Sequence, residues 1–210
     1  DTVVLFIAGH GMHAADNEAT YYFLTHAADP KRLAETAAPF ALIEELLQGI
    51  APRKKLFLMD TCESGELEDE VLHHFEGAAT GQQLAARTAR GLRLTAKSSA
   101  PTPKRRLYLT QRDRFIHNDM LRRSGAIVFS SSRGGELSYE TSQAQNGLFT
   151  EEILRALSSD VADINRDRVI STEELRAYVV KAVARASKEL QHPTVDRDNI
   201  HAVFGFPIAY

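Results

Sequence analysis

The sequence predicts an α/β domain in which a mostly parallel sheet is flanked by helices, an α/β/α sandwich. Three observations predict it. Residues 3–8, VVLFIA, are continuously apolar and β-branched at the start, the pattern of a strand buried on both faces. Between Pro39 and Ile50, apolar residues recur at Phe40, Ile43, Leu46, Leu47 and Ile50 with Glu44 and Glu45 on the other side, a helical stripe. Leu56 to Met59 follow as a second short buried strand, and strand, helix and strand in succession imply a right-handed crossover and a parallel pair.

The remaining elements follow in order. Gly9 and Gly11 stop the first strand, and Asp60-Thr61-Cys62-Glu63-Ser64-Gly65 ends the second. Gly125 to Ser131 reads as a third strand running into serines and glycines. Phe149 to Leu157 and Glu173 to Leu190 carry helical spacing, the latter with Leu175, Val179, Val183 and Ala186 on one stripe, and are expected to cover the sheet. Ser98 to Pro103, SSAPTP, is a loop. With 210 residues, 43% of them hydrophobic, the chain has enough material for one core, so 1–210 is taken as one domain.

Composition excludes several classes. No apolar run approaches the roughly 18 residues of a membrane span, and DTVVLFIAGH lacks the basic start of a signal peptide, so no membrane partner and a cytoplasmic location are expected. One cysteine, Cys62, rules out an internal disulfide framework and a multi-cysteine zinc site. The formal net charge of −3 hides a separation: residues 60–76 hold seven acids and no Lys or Arg, whereas residues 77–112 hold eight bases and no acid. The blocks can pair with each other or with solvent; alternatively the acids attract a basic substrate and the basic loop is itself cut. A nucleic-acid partner is not expected, because Tyr108 is the only aromatic interleaved with those bases.

In open α/β sheets ligands bind at the carboxyl ends of strands. His10 and Cys62 would face one crevice there, a base and a thiol brought together without being close in sequence. The thiol needs such a base, because a free cysteine with a pKa of about 8.5 is mostly protonated near neutrality. The backbone N–H groups of Gly11 and Cys62 would sit on the same tips and can stabilise an oxyanion. Taken singly, each is more often structural, Cys62 as a small buried core residue and His10 as a residue of the turn.

Together these residues resemble a known family. Ala8-Gly9-His10-Gly11 after one buried strand and Asp60-Thr61-Cys62-Glu63-Ser64-Gly65 after the next look like the caspase-like cysteine peptidases of clan CD, peptidase C14 type. His10 and Cys62 are 52 positions apart, against about 50 in the caspase pattern. The match is nearer to bacterial and plant metacaspases and orthocaspases than to animal caspases, whose Gln-Ala-Cys run is absent here. It continues through Ile127 to Ser132, Glu136 to Glu140, Asn146 to Thr150 and Gln191 to Thr194. The resemblance implies a cysteine endopeptidase with a His10 and Cys62 dyad, needing no cofactor. It also implies a pocket for Arg or Lys on the amino side of the cut bond, lined by Asp60, with Glu140 as the second acid and Glu136 as the runner-up. Asp60 can instead cap a turn and Glu140 can be a surface residue. A family sheet has strands and a helix before the HG strand, so the resemblance implies missing first strands and an upstream remainder as partner. Among the other histidines, His13, His73 and His74 are given no role, and His192 before Pro193 is expected to order a turn.

One further stretch resembles an EF-hand loop within a helix-loop-helix at 149–190. Its oxygen donors would be Asp163, Asn165, Asp167, the Val169 carbonyl, Ser171 and Glu174 around calcium. Position 6, normally Gly, is Arg168, where positive φ is disfavoured. The alternative is a connector in which Ser171 caps the last helix and Glu174 completes a capping box. Two rivals to the peptidase therefore stand beside it, a catalytically silent interaction module and a calcium-responsive module.

Overall fold

Strand β1 (Thr2–Gly9) pairs in parallel with β5 (Lys54–Thr61), and β5 pairs in parallel with β7 (Ala126–Ser130). A short β10 (Thr194–Val195) adds to β7 in the antiparallel sense, so the central sheet is mixed with a parallel core. The computed structural model describes residues 1–14, 20–61, 84–86, 126–133, 136–141, 146–195 and 204–208. The stretches 62–83 and 87–125, which contain Cys62, His73, His74, the 98–103 loop and Tyr108, lie outside the described residues.

β5 and β7 earn their central place by composition. Leu56, Phe57, Leu58 and Met59 are all buried, as are Ala126 to Ser130, because helices stand on both faces. On one face lies α2 (Phe40–Gly49), whose Phe40 and Leu47 pack with Phe57, Met59 and Val128. Its stripe departs from the expected one. Leu46 is 57% exposed, and the buried line runs through Phe40, Ile43, Leu47 and Ile50, which share one helical face without it. Buried Lys55 donates from Nζ to the Leu47 carbonyl at 2.6 Å, bringing a cation to the last turn of α2 and tying that helix to the sheet.

On the other face, α3 (Leu148–Ser158) and α4 (Thr172–Ala186) cover Leu56, Leu58, Ile127 and Phe129 with Phe149, Ile153, Leu175, Val179 and Val183. The Tyr178 hydroxyl donates to Glu152 across the two helices at 2.8 Å. α4 stops at Ala186, before the expected Leu190, because Lys188 and Glu189 take left-handed φ of 55° and 65° and turn the chain.

β1 is the main correction to the sequence reading. Among the described residues it is the outer strand of the sheet, and it is not buried on both faces. Leu5 and Ile7 pack toward the α2 side, whereas Val4 and Phe6 are 48% and 44% exposed. A continuous apolar run is compatible with either position, and only the strand order distinguishes them.

Smaller elements surround this frame. β2 (Gly11–His13), β3 (Tyr21–Phe23) and β4 (Ala38–Pro39) form an antiparallel sheet beyond the tip of β1, with α1 (Leu33–Thr36) preceding β4. β6 (Leu84–Ala86) pairs with β8 (Tyr139–Thr141), and β9 (Val169–Ser171) pairs with β11 (Gly205–Pro207). Among the described residues, no helix is long and apolar enough to cross a membrane.

Candidate active site

The parallel register of β1 and β5 aligns Ala8 with Asp60 and Gly9 with Thr61. His10 is the next residue after Gly9, and Cys62 is the next after Thr61, itself outside the described residues. Both strands end on the same edge of the sheet, where parallel strands present their carboxyl ends. His10 is partly buried, and its carbonyl accepts from the Leu24 amide at 2.8 Å, which anchors the turn to the end of β3.

Gly11 opens β2 and is buried against Tyr21 of β3. A Cβ added at Gly11 would lie 1.8 Å from Tyr21 Oη and 2.3 Å from its Cζ, so the ring occupies the volume that any other side chain would need. The same hydroxyl donates to Thr61 Oγ1 at 2.8 Å in a buried bond. Tyr21 therefore touches both strand tips.

A second set of bonds holds Thr61 from β7. Ser131 Oγ lies 3.1 Å from the Thr61 carbonyl and donates to it, and the Ser131 amide donates to Met59 O at 2.9 Å. Ser131 Oγ and Ser138 Oγ are 2.6 Å apart. Gln191, fully buried, spans the next layer: its Nε2 donates to Ser131 O at 2.8 Å and its Oε1 accepts from the Tyr139 amide at 2.9 Å. Ser131, Ser138 and Gln191 belong to runs that the sequence reading singled out as motifs without giving these residues roles.

Asp60 is fully buried at the end of β5 and accepts a hydrogen bond from Thr150 Oγ1. Thr150 lies in the first turn of α3, the positive end of the helix dipole, which favours a carboxylate. Glu140, on β8, forms an isolated bridge with Gly147, the residue that caps α3. The two acids thus adjoin the same helical turn. Glu136 is placed differently. Its Oε2 accepts from the His192 amide at 2.8 Å and its Oε1 lies 3.1 Å from His192 Nδ1, while His192 Nε2 is 3.3 Å from Glu189. The turn lies just before His192, at residues 187–189, and His192 itself is held by two carboxylates.

The loop from Asp163 to Glu174 links α3 to α4. Its carboxylate oxygens accept bonds from within the loop: Asp163 from the amides of Asp167 and Arg168, Asp167 from Val169 and the Asn165 side chain, and Glu174 from Ile164, Asn165 and Ser171. Glu174 is largely buried, and burial pushes its carboxyl up, but the bonds from Ser171, Asn165 and Ile164 prevail and hold it below the usual range. Ser171 caps α4, and Glu174 completes the capping box. Arg168 adopts the glycine-type backbone, at φ 66°, and so does Arg166, at 63°. Among the described residues, no group of three or more His, Cys, Asp or Glu side chains is gathered as for a metal ion; the Asn165, Val169 and Ser171 oxygens of the loop are of other kinds.

Comparison with known proteins adds to this geometry. The family model described as Caspase domain matches residues 1–204. A solved protein of Geobacter sulfurreducens is 16% identical, with the comparison covering 100% of this chain and 68% of that one at a TM-score of 0.46. Curated proteins gave no match.

Proposed function

The chain belongs to the caspase-domain family, whose members are cysteine peptidases together with inactive relatives, and on that premise we propose that it is an endopeptidase cutting after Arg or Lys. His10 takes the thiol proton, and Cys62 attacks the carbonyl carbon of the basic residue itself. The amides of Gly11 and Cys62 stabilise the oxyanion, and His10 returns its proton to the leaving amine. Water then hydrolyses the acyl-enzyme and frees the thiol. That chemistry requires no cofactor.

The observation that carries the reading is the register of Gly9 with Thr61, which supports a base and a nucleophile on neighbouring strand ends. The basic preference rests on acids. Asp60 and Glu140 adjoin the first turn of α3, with Glu136, four residues before Glu140, engaged by His192 as the runner-up, and carboxylates pair with a guanidinium or ammonium. The motifs around His10 and Cys62 favour the metacaspase and orthocaspase branch.

A fluorogenic peptide with Arg before the scissile bond tests this against its Asp equivalent. Arg cleavage is expected, abolished by Cys62→Ala; equal or reversed rates for the two peptides would sink the specificity. A thiol-directed activity probe separates a peptidase from a silent member. Labelling of Cys62 at an unchanged rate in His10→Ala would count against an activated dyad.

A further inference from the structure

From the contacts of Tyr21 we infer that it is a positioning residue, a clamp that holds the base turn and the nucleophile turn at a fixed offset. This rests on the His10 and Cys62 dyad proposed above. Tyr21 Oη and Cζ fill the space beside Gly11, one residue after the base, and Oη donates to Thr61, one residue before the nucleophile. Among the described residues the register of β1 and β5 ends at Gly9 and Thr61, so the Tyr21 bond ties the two strand ends at the last pair of that ladder.

The clamp is itself rigid. Its ring meets Phe23 edge-on at 5.3 Å and Phe40 edge-on at 6.3 Å, and it is 5% exposed. Edge-on packing against two rings restricts where the Tyr21 ring can carry its hydroxyl. Thr61 is fixed at its other end by Ser131, so its side chain answers to Tyr21 and its carbonyl to β7. Small displacements between base and nucleophile cost large factors in rate, which gives a buried bond at this place leverage over turnover.

The test is Tyr21→Phe, which keeps the ring and deletes the hydroxyl, together with Thr61→Val, which keeps the shape and deletes the acceptor. Each is expected to lower kcat on the Arg peptide roughly tenfold with KM unchanged, the size of one buried hydrogen bond. The double variant should be no worse than either single one. Alkylation of Cys62 by iodoacetamide should slow in parallel, and this readout does not depend on substrate choice. If wild type fails to cut the Arg peptide, the proposed specificity falls while alkylation still decides the clamp. Wild-type kcat and alkylation rates in Tyr21→Phe would overturn it. So would additive losses in the double variant, or a lowered Tm accompanied by an unchanged alkylation rate, which would assign the hydroxyl to stability alone.

Discussion

Gly11→Ala probes the closest packing in the site. The new Cβ would lie 1.8 Å from Tyr21 Oη and 2.3 Å from Cζ, so the ring must retreat by about 1.5 Å to regain van der Waals separation. It has little room to do so, because Phe23 and Phe40 stand edge-on to it and the interior is close-packed. Overpacking costs about 1–3 kcal/mol, and displacing the hydroxyl from Thr61 removes a bond worth about 1 kcal/mol more. The expected loss is therefore about 2–4 kcal/mol, read as a lower urea midpoint at unchanged slope. Tyr21→Phe in the Gly11→Ala background removes the nearest atom, so the double variant should be less destabilised than the two single losses combined. A loss below about 0.5 kcal/mol, or strict additivity, would refute the contact and the reasoning built on it.

Four other outcomes are expected. Arg168 pays for a left-handed backbone that glycine adopts freely, so Arg168→Gly should gain about 0.5–1 kcal/mol after the entropy of glycine is subtracted, a rise of about 2 °C in Tm; a lower Tm would contradict this. The depressed carboxyl of Glu174 contributes stability that is complete above its unfolded value of about 4.3 and is lost as pH falls through the folded one. The stability gap between wild type and Glu174→Gln should therefore shrink from pH 6 to pH 3, and a constant gap would reject the assignment. Calorimetric titration with calcium should give no heat at millimolar concentration if the 163–174 loop is the capped connector that its Ser171–Glu174 capping box supports; saturable heat would restore the calcium reading. Finally, wild type incubated alone should show cleavage in the basic stretch 77–112 that Cys62→Ala lacks, and identical gel patterns would reject self-processing.

Local patterns in the sequence reached the frame of the fold. Leu56 to Met59 is apolar without interruption because β5 has a strand on either side and helices above and below, and the alternation of α3 and α4 follows directly from their packing. The same logic misplaced β1, whose apolar run is longer but borders an exposed face at Val4 and Phe6. It also buried Leu46, because a helical stripe is wide enough to include a residue that the sheet does not reach. In the site, the glycine and histidine of the first turn were legible from their place after a strand. The Tyr21–Thr61 bond spans 40 positions, and Gln191 reaches Ser131 across 60, and no periodicity encodes such distances. Nothing in the spacing of Tyr21, Tyr22 and Phe23 marks one hydroxyl as different from its neighbour. The Glu136 carboxylate that holds His192 was hidden for the same reason, since it lies 56 positions away.

The pairing of β5 with β7 has a consequence for chain continuity. Five register pairs, from Lys55 with Ala126 to Met59 with Ser130, join residues on opposite sides of the 62–125 stretch. Leu56 and Leu58 share one core with Ile127, Phe129, α3 and α4, so the interface between the two halves is the interior of the domain. Covalent linkage across that stretch adds a loop-closure entropy that changes only slowly with length. A single cut there would leave two fragments held by the same ladder and the same buried side chains. Such a nicked molecule would run as two bands on a denaturing gel and as one species in gel filtration.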